Sequence, residues 1–217
     1  MEIAILLYDK FTALDAIGPY EVLRSAPGWE VRFVAKAKGE VRTDSGFLGV
    51  SADHALEEVE APEIVVVPGG PGSRIGGSPG TPAMIEDEEV LEWLRTVDRT
   101  SKWTTSVCTG SLILAAAGLL DGKRATSNWL YLERLEELGA NAVGGRVVED
   151  GKTITAAGVT AGIDMALHLV SREVGPELAQ AIQLGIEYDP EPPFDCGSPE
   201  KAPAEIVELV TAFERGS

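Results

Sequence analysis

Cys108 stands in Ser106-Val107-Cys108-Thr109-Gly110, after the strand-like run Trp103 to Val107 and before the helix-like run Ser111 to Ala117. A sharp strand-to-helix turn needs small neighbours and aims its central side chain out over the carboxyl end of a sheet. At a helix N-terminus the sulfur also meets unpaired N–H groups and the positive end of the dipole, which favours thiolate over thiol. This is the setting of a nucleophile. The competing reading is a buried structural cysteine, because cysteine is among the most buried residue types.

Two further stretches could serve that sulfur. Val67-Pro68-Gly69-Gly70-Pro71-Gly72 ends another strand-like run, and successive glycines let a backbone turn its N–H groups inward. With the Thr109 N–H, those of Gly69 and Gly70 would form an oxyanion-type hole; the alternative is a plain tight turn. The stretch fits neither the dinucleotide fingerprint nor the phosphate loop, so nucleotide binding is discounted. In Leu14-Asp15-Ala16-Ile17-Gly18-Pro19 a lone acid sits among apolar residues. Desolvation would raise its pKa and let it hydrogen-bond the sulfur and exchange a proton. It could equally cap a helix through Ile17 to Leu23.

The two histidines, His54 and His168, lie far from the turn in sequence. The surroundings of His168 suggest helix packing, and those of His54 a surface position. No Cys/His spacing resembles a zinc site, and no metal or cofactor is expected.

These residues need a scaffold that brings strand ends together. Ile3 to Leu7, Val31 to Ala35, Ile64 to Val67 and Trp103 to Val107 read as strands. Between them Leu14 to Ala26, Asp87 to Thr100, Gly110 to Gly118 and Leu130 to Leu138 have helical spacing, which makes an α/β chain with a mostly parallel sheet. Arg42 to Val50, and the pair Arg146 to Glu149 and Thr153 to Ala156, look like antiparallel additions. Helices are expected over Ala161 to Glu173 and Pro176 to Tyr188. Residues 189–203 carry five prolines and read as an extended arm. A final helix follows with Ile206, Leu209, Val210 and Phe213 on one face, which needs a surface to dock on. One domain over residues 1–217 is expected, with 189–217 as arm plus helix.

Composition narrows the partners. With 18 Lys and Arg against 35 Asp and Glu, the net charge of −17 has the wrong sign for neutralising phosphates or anionic lipid. No apolar run approaches the roughly 20 residues of a membrane span. Two cysteines make no disulfide framework, and free thiols are expected. The start, Met1-Glu2 running into a strand, offers no secretory signal, so a cytoplasmic location is expected.

Along nearly its whole length the sequence resembles the DJ-1/PfpI superfamily. Leu14-Asp15 with Gly18-Pro19, Pro68-Gly69-Gly70 and Thr105 to Ser111 are similar to its isocyanide hydratase branch. So are Ala115 to Leu120, Gly158 to Asp164, Glu187-Tyr188, Pro192-Pro193-Phe194 and Gly197-Ser198-Pro199. Some of these also occur in amidase-like sensor domains of AraC-type regulators. The resemblance implies a flavodoxin-like sheet flanked by helices, a homodimer, Cys108 as nucleophile and Asp15 as the acid contacting it. Protease- and amidotransferase-like relatives often have histidine directly after the cysteine; the hydratase branch has threonine, as at Thr109. One position departs from the pattern: Asn128 stands where the family usually has histidine, and it cannot titrate near neutrality.

The expected activity is therefore cysteine-dependent hydration of an isocyanide to an N-substituted formamide through a thioimidate. Cys108 and Asp15 would do the chemistry, with Gly69, Gly70, Thr109 and Asn128 around the substrate. The rivals are a metabolite-sensing domain without turnover, a glyoxalase or deglycase activity, and redox sensing by Cys108.

Overall fold

In the computed structural model, residues 1–72 and 79–216 are described. The strands are β1 (Glu2–Leu6), β2 (Glu30–Ala35), β3 (Gly39–Arg42), β4 (Gly49–Ala52), β5 (His54–Ala55), β6 (Ile64–Val67), β7 (Trp103–Val107), β8 (Arg124–Ala125), β9 (Asn141–Ala142), β10 (Val147–Asp150) and β11 (Thr153–Ala156). The helices are α1 (Ala13–Leu23), α2 (Thr81–Met84), α3 (Glu88–Asp98), α4 (Gly110–Ala116), α5 (Leu132–Glu137), α6 (Ala161–Glu173), α7 (Pro176–Gly185) and α8 (Ala204–Gly216).

Seven strands form one sheet in the order β10-β11-β7-β6-β1-β2-β5. Every pairing in it is parallel except β10 with β11. Helices cover both faces of such a sheet, so its central strands read as unbroken apolar runs. Ile64-Val65-Val66-Val67 of β6 is buried at every position. In β7 threonines take that place, and burial obliges their hydroxyls to find acceptors. Thr105 Oγ1 donates to the Val65 carbonyl at 2.8 Å and Thr104 Oγ1 to Asp98 Oδ1 at 2.5 Å. The mostly parallel, helix-flanked sheet expected from the sequence is thus found.

Some details differ. Within the seven-stranded sheet only β10 runs antiparallel; β11 lies parallel to β7 and joins that sheet. The addition expected over Arg42 to Val50 is a hairpin whose paired strands lie outside residues 43–48. α7 stops at Gly185, and Glu187 adopts a left-handed φ of 49°, so the irregular arm begins earlier than expected.

The helices that frame the site approach one another through small residues. A Cβ on Gly162 would lie 3.0 Å from Val107 Cγ2 and 3.1 Å from Pro19 Cγ, and one on Gly18 3.2 Å from Ile163. α1 and α6 therefore pack closely beside the carboxyl end of β7. That places Asp15 of α1 and the segment leading into α6 at the Cys108 turn.

Candidate active site

Cys108 has φ 56°, a left-handed conformation that is strained for a residue with a side chain. The strain is held from both sides of its backbone. Its N–H donates to the carbonyls of Ala156 (3.1 Å) and Ala157 (2.8 Å), and its carbonyl accepts from Ser111 Oγ (3.1 Å) and Ser127 Oγ (3.0 Å). Gly110 is required next: a Cβ there would sit 2.1 Å from the Val67 carbonyl oxygen. The strand-to-helix elbow expected from the sequence is formed, with the sulfur at the sheet's carboxyl end and only 6% of the residue exposed.

Asp15 is the third residue of α1, whose N-cap position belongs to Thr12, so it does not cap the helix. It is fully buried, and its Oδ2 accepts the Gly69 N–H at 2.9 Å. Its Oδ1 has no hydrogen-bond partner among the described residues, and the Cys108 side chain interacts with the carboxyl and lowers its pKa. Burial pushes the carboxyl up to about 7, opposed by the Gly69 N–H and assisted by the charge of Asp44.

Burial likewise pushes the Cys108 thiol up to about 12, with the Asp15 charge adding to the rise. Three donors act the other way: the N–H groups of Thr109 and Val159 and the side chain of Asn128. The thiolate-favouring helix terminus inferred from the sequence is outweighed by desolvation. The two groups are coupled, because an ionised Asp15 beside the buried sulfur opposes loss of the thiol proton.

The glycine loop has a different job from the one its sequence suggests. The Gly69 N–H is taken by Asp15, and the Gly70 N–H donates to Thr109 Oγ1 at 3.0 Å. Thr109 Oγ1 also lies 2.8 Å from the Gly70 carbonyl and 2.8 Å from Thr81 Oγ1. Loop and elbow are thereby tied together. The backbone donors at the sulfur are instead those of Thr109 and Val159.

Asn128 Oδ1 accepts the Leu130 N–H at 3.1 Å, capping the 3₁₀ turn Trp129–Tyr131. The amide oxygen being so committed, its NH₂ is the donor toward Cys108. Beyond Asn128 and Val159 opens a cleft of about 540 Å³, roofed by Gly197 to Glu200 of the arm. Cys108 lies behind these two residues rather than on the cleft wall itself.

The histidines lie elsewhere. His168 Nε2 is 2.6 Å from Glu149 Oε2, a hydrogen-bonding position on a half-buried face of α6 in place of the expected packing one. His54 is in the edge strand β5, half-buried, with Nδ1 unpartnered among the described residues. No cluster of His, Cys, Asp and Glu suited to a metal occurs among the described residues. Both thiols are free, Cys196 being exposed.

Residues 1–172 match the model of the DJ-1/PfpI family. The chain belongs to that family. Isonitrile hydratase of Pseudomonas putida is 43% identical over 208 residues, covering 96% of this chain and 87% of that protein. A ThiJ/PfpI family protein from Pseudomonas syringae superposes with a TM-score of 0.92 at 37% identity, over 98% of this chain and 85% of that one. The HTH-type transcriptional regulator CdhR of Pseudomonas aeruginosa is 34% identical over 182 residues, 80% of this chain. The match takes in 51% of the regulator, so this family member spans about half of it.

Val159 and Ser127 are among the neighbours of Cys108 to which sequence reasoning assigned no role, as are Ser111, Ala156 and Ala157. Val159 acts through its N–H and Ser127 by gripping a carbonyl, and neither role constrains a side chain in a way that spacing reveals. The family's glycine-rich turn Gly158 to Gly162 was the one available signal.

Proposed function

We propose that this chain hydrates isocyanides to N-substituted formamides, with Cys108 as nucleophile and Asp15 as proton carrier. The observation that carries the reading is a buried thiol at a strained elbow beside a fully buried carboxyl, each with its pKa raised chiefly by burial. Its chemical direction comes from the 43% identity with isonitrile hydratase over 96% of the chain. The domain is taken as residues 1–217, with the arm and α8 part of it.

The terminal carbon of R–N≡C accepts both a proton and a nucleophile. Asp15 as carboxylate takes the thiol proton and passes it to that carbon while the sulfur bonds to it, giving the thioimidate R–N=CH–S–Cys108. Water then adds to the same carbon and a proton goes to nitrogen. On collapse the C–S bond breaks, the hydroxyl proton returns to sulfur through Asp15, and R–NH–CHO leaves. The N–H groups of Thr109 and Val159 stabilise charge on sulfur at each stage, and the Asn128 NH₂ serves the same face. No step needs a histidine.

Loss of the N≡C infrared band, with formamide appearing by NMR, tests this for wild type against Cys108→Ala. Turnover that persists in the variant would defeat the cysteine mechanism. The similarity to CdhR favours a second reading, a sensor whose pocket binds a metabolite without converting it. Wild type that binds isocyanides at Cys108 and converts none would replace the first reading by this one.

We further infer a homodimer, supported by the exposed Leu209 and Val210 of α8. Among the described residues no helix is long and apolar enough to cross a membrane, and with the acidic charge this supports work in the cytoplasm.

A further inference from the structure

We propose that Tyr8 is a positioning residue for Asp15, acting through the peptide that joins Pro68 to Gly69. Its part in hydration rests on the hydratase reading, while the contact itself can be tested without substrate.

Tyr8 and Asp15 hold the two ends of one peptide group. Tyr8, two residues beyond the end of β1, donates its hydroxyl to the Pro68 carbonyl at 2.9 Å. The N–H of that same peptide belongs to Gly69 and donates to Asp15 Oδ2 at 2.9 Å. Pro68 is buried just past the end of β6, beyond the ladders with β1 and β7, so its carbonyl needs a donor from outside the sheet. A donor on the carbonyl polarises the amide and makes its N–H a stronger donor in turn. The phenol therefore both orients the peptide plane and tightens its grip on the carboxylate. The next peptide is held in the same two-ended way: the Thr12 N–H donates to the Gly69 carbonyl at 2.8 Å, and the Gly70 N–H to Thr109 Oγ1 at 3.0 Å.

Packing fixes the phenol against this loop. Tyr8 is buried, and its ring lies where a Gly70 side chain would go: a Cβ there would stand 3.3 Å from Tyr8 Oη and 3.4 Å from its Cε2. Thr81 Oγ1, 3.5 Å from the Tyr8 hydroxyl and 2.8 Å from Thr109 Oγ1, links the phenol to the residue after the nucleophile. A buried tyrosine ordinarily finds some backbone acceptor, and that alone would make Tyr8 structural. What sets it apart is the place of its acceptor, on the amide that holds the proton-carrying carboxyl.

The hydroxyl is also a permanent donor. Burial holds it well above its ordinary pKa of 10.0; Thr81 opposes the rise, and the charges of Asp15, Cys108 and Asp44 add to it. Tyr8 thus keeps its proton throughout the range in which Asp15 changes state, about pH 7. The other groups that act on Asp15 are Cys108 of the elbow and Asp44 of the hairpin loop. Asp44 accepts from Thr12 Oγ1 at 3.0 Å, and Lys10 Nζ is 3.3 Å from its carbonyl. A neutral phenol acts on the carboxyl through the peptide and not by charge.

Tyr8→Phe removes the donor and keeps the ring. A monofluorinated tyrosine at position 8 keeps the contact and makes the phenol a stronger donor. Protonation of Asp15 is read from its carboxyl infrared band against pH, assigned by loss of the band in Asp15→Asn, and the same proteins are assayed for isocyanide hydration across pH. Tyr8→Phe should move the Asp15 midpoint up by roughly half a pH unit, as expected when a charge-assisted bond loses part of its strength. The fluorinated protein should move it down, and the rising limb of kcat/KM should follow in each. A merely structural hydroxyl would not give opposite displacements. The fluorinated protein keeps the test sound if Tyr8→Phe folds poorly. A midpoint unmoved in the folded variants, or moved the same way in both, overturns the inference and leaves the hydratase reading standing. Wild type inert toward isocyanides, with the midpoints displaced as stated, removes the hydratase reading and leaves Tyr8 as the residue that positions Asp15.

Discussion

Asp15 Oδ2 is held by the Gly69 N–H at 2.9 Å, and a Cβ on Gly69 would come within 2.9 Å of that oxygen and 2.6 Å of the Thr109 nitrogen. The carboxyl is therefore positioned by a backbone that has no room to carry a side chain. The same contact lowers its pKa against the larger rise that burial imposes.

Asp15→Asn preserves the acceptor for Gly69 while removing the proton carrier. Activity should fall at least a hundredfold, about what a general acid–base group contributes. Stability should move the other way. The folded-state pKa of about 7 lies above the ordinary carboxylate value of 3.8, so the wild type gains from protonation in acid and loses that gain as pH rises from 3.8 to about 7. The penalty is of order 4 kcal/mol above neutrality. Melting curves should show the variant's advantage growing from acid to mildly alkaline pH; an advantage largest in acid would contradict the buried-carboxyl account.

The pH dependence of kcat/KM follows from the same group. Asp15 must be ionised to accept the thiol proton, so the rate should rise with pH through about 7. This limb should vanish in Asp15→Asn. A flat wild-type profile across neutral pH would exclude Asp15 as the base.

Thiol labelling separates the two cysteines. The sequence reading has the helix terminus favouring thiolate at Cys108, but burial raises its pKa and shields it, so exposed Cys196 should react first with bulky reagents. An aromatic disulfide should titrate Cys196 rapidly and Cys108 slowly, and Cys196→Ala should abolish the fast phase. Fast labelling retained in that variant would show an open, ionised Cys108.

The exposed apolar residues of α8, with Leu209 51% exposed, predict association of two chains. Light scattering should give twice the 23.0 kDa chain mass, and Leu209→Asp should shift the particle toward the single-chain value. A wild-type particle of one chain at micromolar concentration would refute the dimer.

Much of the scaffold was legible because burial on both faces writes itself into composition. β6, β7 and α6 have the bounds read from sequence, since each is an apolar or β-branched run with clear punctuation. Leu130 and Tyr131 were read as the start of a helix but belong to the 3₁₀ turn Trp129–Tyr131, because Asn128 caps there. Asp15 was ambiguous for a geometric reason: an acid near a helix start suits either a cap or a buried base, and only the position of Thr12 at the N-cap decides. Gly69 and Gly70 were recognisable as a backbone device, but not which acceptors their N–H groups meet. Those acceptors, Asp15 and Thr109, come from elements distant in sequence.

All four hydrogen bonds that hold the elbow run to the backbone of Cys108, from Ser111 and Ser127 and to Ala156 and Ala157. None of them depends on sulfur. Cys108→Ala should accordingly retain the left-handed turn and the donors around it, which makes this inert variant a trap in which an unreacted isocyanide can be soaked and photographed in its reactive pose.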